Sequence, residues 1–149
     1  MIRSAVAVWT GGPLIGEGQV STSSGVISKV LYKASSSTGN EPCTSPSEML
    51  AAAIASCMSL MLVQEMRREG MEPQLVKTES ALTLEEKKGR WEITQIDSSI
   101  TVGLAEANEK KVQHAVTIAK GQCPISRALN VPIKVKAKVQ AVETEPVTA

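Results

Sequence analysis

From Met49 to Val63 the chain carries no charged residue, and every position is apolar or small. A helix start introduces the run. Ser45 stands as N-cap, Pro46 as first helical residue and Glu48 as the returning acid of an S-x-x-E capping box. Arg67 and Arg68, favourable at the negative end of a helix dipole, and then Gly70 close it. The pattern predicts one long helix from Pro46 to about Glu69. A helix that is apolar nearly all round is expected to be buried on most sides. The chain has limited material for that burial. Phe is absent, and Trp9, Trp91 and Tyr32 are its aromatics. Its 149 residues suit a single domain spanning residues 1–149. A partner subunit is expected to complete the burial.

Short β elements flank this helix. Ser4 to Trp9 reads as a strand ending at Gly11-Gly12-Pro13, Gln19 to Ser23 as a second, and Val26 to Tyr32 as a further β-rich run. A polar loop, Ala34 to Thr44, leads to the helix. After it, Gln74 to Leu84 and Trp91 to Val102 form a hairpin about Lys87-Lys88-Gly89. Asn108 to Lys120 reads as a helix with Val112, Ala115, Val116, Ile118 and Ala119 inward, interrupted at Gly121. A short helix restarts at Cys123-Pro124 and runs to about Leu129. From Ile133 to Val139, apolar residues alternate with Lys134, Lys136 and Lys138, the period of a strand with one buried face. The order is strands, long helix, hairpin, two helices, strand: an α+β domain. The tail after Glu143 is expected to fray.

Net charge is +1, and no basic cluster is interleaved with aromatics, so no nucleic-acid partner is expected. The apolar run Ala5 to Trp9 is too short for a signal segment, and Met49 to Val63 falls short of the ~20 residues that span a bilayer. A soluble, cytoplasmic protein with no membrane partner is the expectation. Its three cysteines then read as catalytic, redox-sensing or packing residues rather than as a disulfide framework.

Cys57 lies mid-helix among Ala53, Ile54, Leu60 and Met61. Burial there makes a small, inert hydrophobe with a raised pKa the simplest reading. Cys123 precedes Pro124 at a helix N-terminus, where N–H groups and the dipole favour a thiolate. A plain junction residue is the equal alternative. Cys43 lies outside the helix. From Pro46 to Cys57 is ~17 Å of helix axis, and a disulfide needs Cα atoms within ~7 Å, so Cys43 is read as incidental. His114, beside Lys110, Lys111 and Gln113, reads as solvated. No C-x-x-C or H-x-x-x-H pair and no nucleotide fingerprint is present, so neither metal nor cofactor is expected.

Two segments carry a resemblance. TSPSEMLAAAIASC, Thr44 to Cys57, resembles the first cysteine motif of the osmotically inducible/organic hydroperoxide resistance (OsmC/Ohr) family. AKGQCPISRAL, Ala119 to Leu129, resembles its second, and GEGQVSTSSGV is similar to its opening strands. The resemblance covers nearly the whole chain. It implies an OsmC-like intertwined homodimer with the long Cys-bearing helices buried centrally. It further implies a thiol peroxidase for organic hydroperoxides: Cys57 would become a sulfenic acid, Cys123 would condense with it to a disulfide, and an external lipoyl-type dithiol would restore both thiols.

Two family positions are not matched. The arginine that assists the thiolate is expected at about Ser37, in a loop without arginine; Lys33 is the nearest cation. The glutamate that orients it directly follows the helix Pro, where this chain has Ser47. Glu48, nine residues from Cys57 at ~100° per residue, falls on nearly the opposite face, so capping is its expected role. Two other readings stay open: a weakly catalytic member that binds a small apolar ligand at the dimer interface, and a structural dimer with packing cysteines.

Overall fold

The computed structural model describes residues 1–13, 15–33 and 42–142. The expected polar loop lies, over residues 34–41, outside the described residues, as does the tail from 143. The chain forms two compact units, Met1–Leu50 and Ala51–Ala149.

In the first unit, β1 (Ala5–Thr10), β2 (Glu17–Thr22) and β3 (Val30–Tyr32) make an antiparallel sheet in that order. Trp9 pairs with Gly18, and Gly18 with Tyr32. The two rings meet over that glycine, 5.7 Å between centroids. A Cβ on Gly18 would overlap the Tyr32 ring, so only glycine fits there. The strand expected from Val26 forms only at Val30, because Lys29 takes a φ of 50°, outside the extended region. Tyr32 bridges to Thr44, which brings the chain to the start of α1 (Pro46–Arg68).

The start of α1 is the capping box read from the sequence. The Ser45 N–H donates to Glu48 Oε2 at 3.0 Å, and the Glu48 N–H donates to Ser45 Oγ at 3.2 Å. Thr44 Oγ1 also donates to that carboxylate, at 3.1 Å. The far end is a Schellman motif. Gly70 takes φ 75°, its N–H reaches Arg67 O, and the Met71 N–H reaches Met66 O at 2.8 Å.

The second unit is a sheet in the order β4-β5-β6, packed against α1 and α2. β4 (Leu75–Lys87) and β5 (Arg90–Leu104) form the expected hairpin. Lys88 and Gly89 have φ of 51° and 77°, the two positive values of a type I′ turn. β6 (Ile133–Ala141) runs parallel to β5. Parallel neighbours need a long crossover, which α2 (Glu109–Gln122) and α3 (Pro124–Ala128) provide. Met58, Leu62 and Met66 of α1 meet Ile100, Val102 and Leu104 of β5 and Val112, Ala115, Val116 and Ala119 of α2.

Two expectations are corrected here. α2 does not stop at Gly121. Glycine costs a helix only ~1 kcal/mol against alanine, and the helix continues through it. The break comes at Cys123 (φ −61°, ψ 112°), held extended by the proline that follows. α1 is expected to be buried on most sides once a partner is present, and within one chain less of it is buried. Its buried positions are Ile54, Met58, Leu62, Glu65 and Met66, a single stripe, and Leu60 is 55% exposed. Within Ala51–Ala149 the described residues pack against one side of the helix. The membrane argument from Met49 to Val63 also understates this helix. Its 23 residues include an 18-residue window of mean hydropathy 1.6, long and apolar enough by composition to cross a membrane.

Candidate active site

Cys57 lies beside the buried stripe of α1, one residue before Met58, and is partly exposed. Cys123 is fully buried at the junction of α2 and α3. Its N–H donates to Ala119 O and closes α2, and its carbonyl accepts from the Arg127 N–H in α3. Pro124 makes this geometry. It lacks an N–H and presets φ, so it suits the first helical position and leaves Cys123 as N-cap. An N-cap side chain points back at the N–H groups of the first turn. Here the Ser126 N–H donates to Cys123 Sγ at 3.5 Å.

The crossover carries that sulfur to the face of α1. Cys123 Sγ and Cys57 Sγ are 2.9 Å apart, a thiol–thiol hydrogen bond. A disulfide is ~2.05 Å long, so the sulfurs need to close by roughly 1 Å to bond. The two thiols titrate in opposite directions. Burial pushes Cys57 up, and the adjacent Cys123 sulfur pushes it further, against a weaker downward pull from the Ile125 N–H. Burial also raises Cys123, but the Cys57 thiol, the Ser126 hydroxyl and the N–H groups of Ser126 and Ile125 outweigh it and bring this thiol down. The Ser126 hydroxyl acts in a geometry short of a formed hydrogen bond, because Ser126 Oγ is buried without a hydrogen-bond partner among the described residues.

His114 is largely exposed, with Nε2 at 3.5 Å from Glu69 Oε1, a solvated histidine as read. Cys43 is partly buried in the segment ahead of α1. Glu48 is engaged at the N-terminus of α1, as expected of a capping acid. The position of Ser37 lies outside the described residues. Among the described residues no three His, Cys, Asp or Glu groups are placed to hold a metal ion. Ser126 and the Ile125 N–H were missed in the sequence. The signal was there, because an N-cap side chain addresses the second and third helical N–H groups, which here belong to Ile125 and Ser126.

Strands, a long cysteine-bearing helix, a hairpin, a two-helix crossover and a last parallel strand, with two thiols in contact, define a dithiol protein of α+β architecture. The OsmC-like protein family matches residues 38–138, and the chain belongs to that family. It is 28% identical to peroxiredoxin OsmC of Escherichia coli strain K12 over 131 residues, 88% of this chain and 92% of the relative. Its fold is similar to an OsmC-like protein of unknown function from Vibrio cholerae, with TM-score 0.76 and 16% identity over 93% of this chain and 99% of that one. It is also similar to the organic hydroperoxide resistance protein OhrB of Bacillus subtilis, with TM-score 0.67 and 23% identity over 91% and 98% of the two chains.

Proposed function

We propose that this chain is a thiol peroxidase for organic hydroperoxides, with Cys57 and Cys123 as its redox pair. The observation that carries the reading is the 2.9 Å contact between a reachable sulfur and a buried one. A peroxide must approach from solvent, so Cys57 is the thiol it meets. The Cys57 thiolate attacks the distal oxygen, the O–O bond breaks, and the alkoxide takes a proton to leave as the alcohol. Cys57 is left as sulfenic acid. Cys123 then attacks the Cys57 sulfur as thiolate. Hydroxide leaves and becomes water on protonation, and the disulfide forms. Two electrons have passed from the thiols to the peroxide. An external dithiol of lipoyl type returns them by thiol–disulfide exchange. The name of the Escherichia coli relative, a peroxiredoxin, and that of the Bacillus subtilis protein, tied to organic hydroperoxide resistance, support the substrate class.

The working form is a homodimer in the reducing cytoplasm. Leu60 on α1, with Val6 and Val8 on β1, is exposed by 55%, 61% and 58% in the single chain, apolar surface that a second copy would cover. The deciding experiment is intact-mass analysis and peptide mapping after stoichiometric cumene hydroperoxide. A Cys57–Cys123 disulfide at low excess supports the reading. Slow, unselective oxidation of all three thiols refutes it.

The engagement of Glu48 in capping favours a slow enzyme. With serine at the position after the helix Pro, the family's orienting acid has no counterpart there.

A further inference from the structure

Buried hydroxyls without partners are uncommon, because desolvation goes uncompensated. Ser126 is such a case. It is 8% exposed, its N–H donates to Cys123 Sγ, and its Oγ meets no partner among the described residues. A hydroxyl can rotate freely to suit a new acceptor. The sulfur of Cys123 is the acceptor whose demand changes during turnover, since a thiolate takes hydrogen bonds far more strongly than a thiol.

We propose that Ser126 is a positioning residue for the redox pair: its hydroxyl turns onto Cys123 Sγ when that sulfur is negative, and so favours the Cys123 thiolate that attacks the oxidised Cys57 sulfur. The proposal rests on the peroxidase reading for its place in turnover, though not for the proton equilibrium itself. Cys57–S⁻ attacks the distal oxygen, with the Cys123 thiol 2.9 Å away. The O–O electron pair leaves with the alkoxide, which solvent protonates. Cys123 then releases the proton it holds, attacks the sulfenic sulfur and expels hydroxide as water. In sum, the dithiol monoanion, one hydroperoxide and one proton give disulfide, alcohol and water.

The thiolate is the attacking species in disulfide formation, so a hydroxyl that donates to Cys123 Sγ serves that step. Glu65 on α1, Lys120 on α2, Arg127 on α3, Asp97 on β5, and Lys134 and Lys136 on β6 are among the charged groups of the surrounding elements. None of them figures among the influences on Cys123, which come from burial, Cys57, Ser126 and Ile125.

The test is the ultraviolet thiolate absorbance against pH for the full-length protein, for Ser126→Ala and for Ser126→Thr. Cys43 is common to all three and cancels in the differences. The expected result is that Ser126→Ala raises the proton affinity of the first thiol to titrate by about tenfold, and that Ser126→Thr restores most of it. Ser126→Ala should also be at least as stable as the parent at acidic pH, where the lost hydroxyl had no partner. An unchanged midpoint overturns the proposal, as does a Ser126→Ala chain that fails to fold; the hydroxyl would then belong to packing. The titration uses no peroxide. A shifted midpoint in a protein that forms no disulfide with cumene hydroperoxide would leave this inference standing and remove the peroxidase reading.

Discussion

Cys123 Sγ sits 2.9 Å from Cys57 Sγ although the two residues are 66 positions apart. One thiol is held at the N-terminus of α3 by a proline, the other along the edge of a buried helical stripe. Under the proposed function the two have different tasks. Cys57→Ser should abolish consumption of organic hydroperoxide. Cys123→Ser should react once and stop with Cys57 as sulfenic acid or its overoxidised forms. Mass spectrometry of each variant after one equivalent of cumene hydroperoxide distinguishes them. Turnover in Cys57→Ser with none in Cys123→Ser would reverse the roles.

The opposite titration of the two thiols makes stability depend on pH in a specific way. Cys123 is lowered in the folded state, so its contribution grows as pH rises toward the ordinary thiol value and is lost as pH falls through its folded value. Cys57 is raised, so its contribution is present below the ordinary thiol value and lost as pH rises through its folded value. Under reducing conditions, the thiol-dependent part of stability should therefore peak near pH ~8.5, the ordinary thiol pKa. Urea titrations at several pH values locate the maximum. In Cys123→Ser the rise on the acid side should disappear.

The capping box gives Glu48 a structural role that can be separated from chemistry. Gln serves at this position of a capping box as Glu does. Glu48→Gln should keep the peroxide rate and change stability by less than ~1 kcal/mol. Ser45→Ala should cost about 1 kcal/mol, because the Glu48 N–H loses its acceptor. A Glu48→Gln variant that folds normally but loses its rate would make Glu48 a catalytic acid.

The open side of α1 bears on assembly. Leu60 projects from the side opposite much of the buried stripe, and the helix has little charge to carry it in water. The protein should sediment as a dimer at nanomolar concentration, and Leu60→Glu should dissociate or unfold it. A stable, folded parent monomer at that concentration would sink the dimer.

Local rules made much of this fold legible. The Ser45–Glu48 box, Gly70, the Lys88-Gly89 turn and the alternation of β6 each depend on a few adjacent residues, and each forms where the sequence places it. What failed was long-range or competitive. Nothing in Ile133 to Ala141 says that it pairs with β5, or that the pairing is parallel. Gly121 looked like a break because glycine is a poor helix former, yet Pro124 decided the boundary from two residues beyond the end of α2. The contact of Cys57 with Cys123 was implied by the family resemblance alone; spacing could not give it. The pull of the α3 N-terminus on Cys123 was legible, since it acts locally, but the larger pull of Cys57 was not. The complete burial of Cys123 was not legible either, because that depends on α1 and α2 closing over it.

The family arginine expected at about Ser37 is not matched in this sequence. A thiol of ordinary pKa, ~8.5, is only a few per cent thiolate at pH 7, and Cys57 lies on the unfavourable side of that value. Lowering its pKa would raise the thiolate fraction, but part of that gain is lost because nucleophilicity falls with pKa. The greater deficit is at the leaving oxygen. A preorganised donor facing developing negative charge is typically worth ~10²–10³ in rate. The parent should therefore react with cumene hydroperoxide much more slowly than a relative with the family arginine. Ser37→Arg combined with Ser47→Glu should recover part of the difference, the glutamate being needed to hold the arginine in place. Stopped-flow oxidation of both forms measures this. A parent already near the diffusional limit would mean that another cation, such as Lys33 or an arginine of a second copy, serves the site. A slow parent that the double change leaves unmoved would point to the ligand-binding or structural readings of the pair.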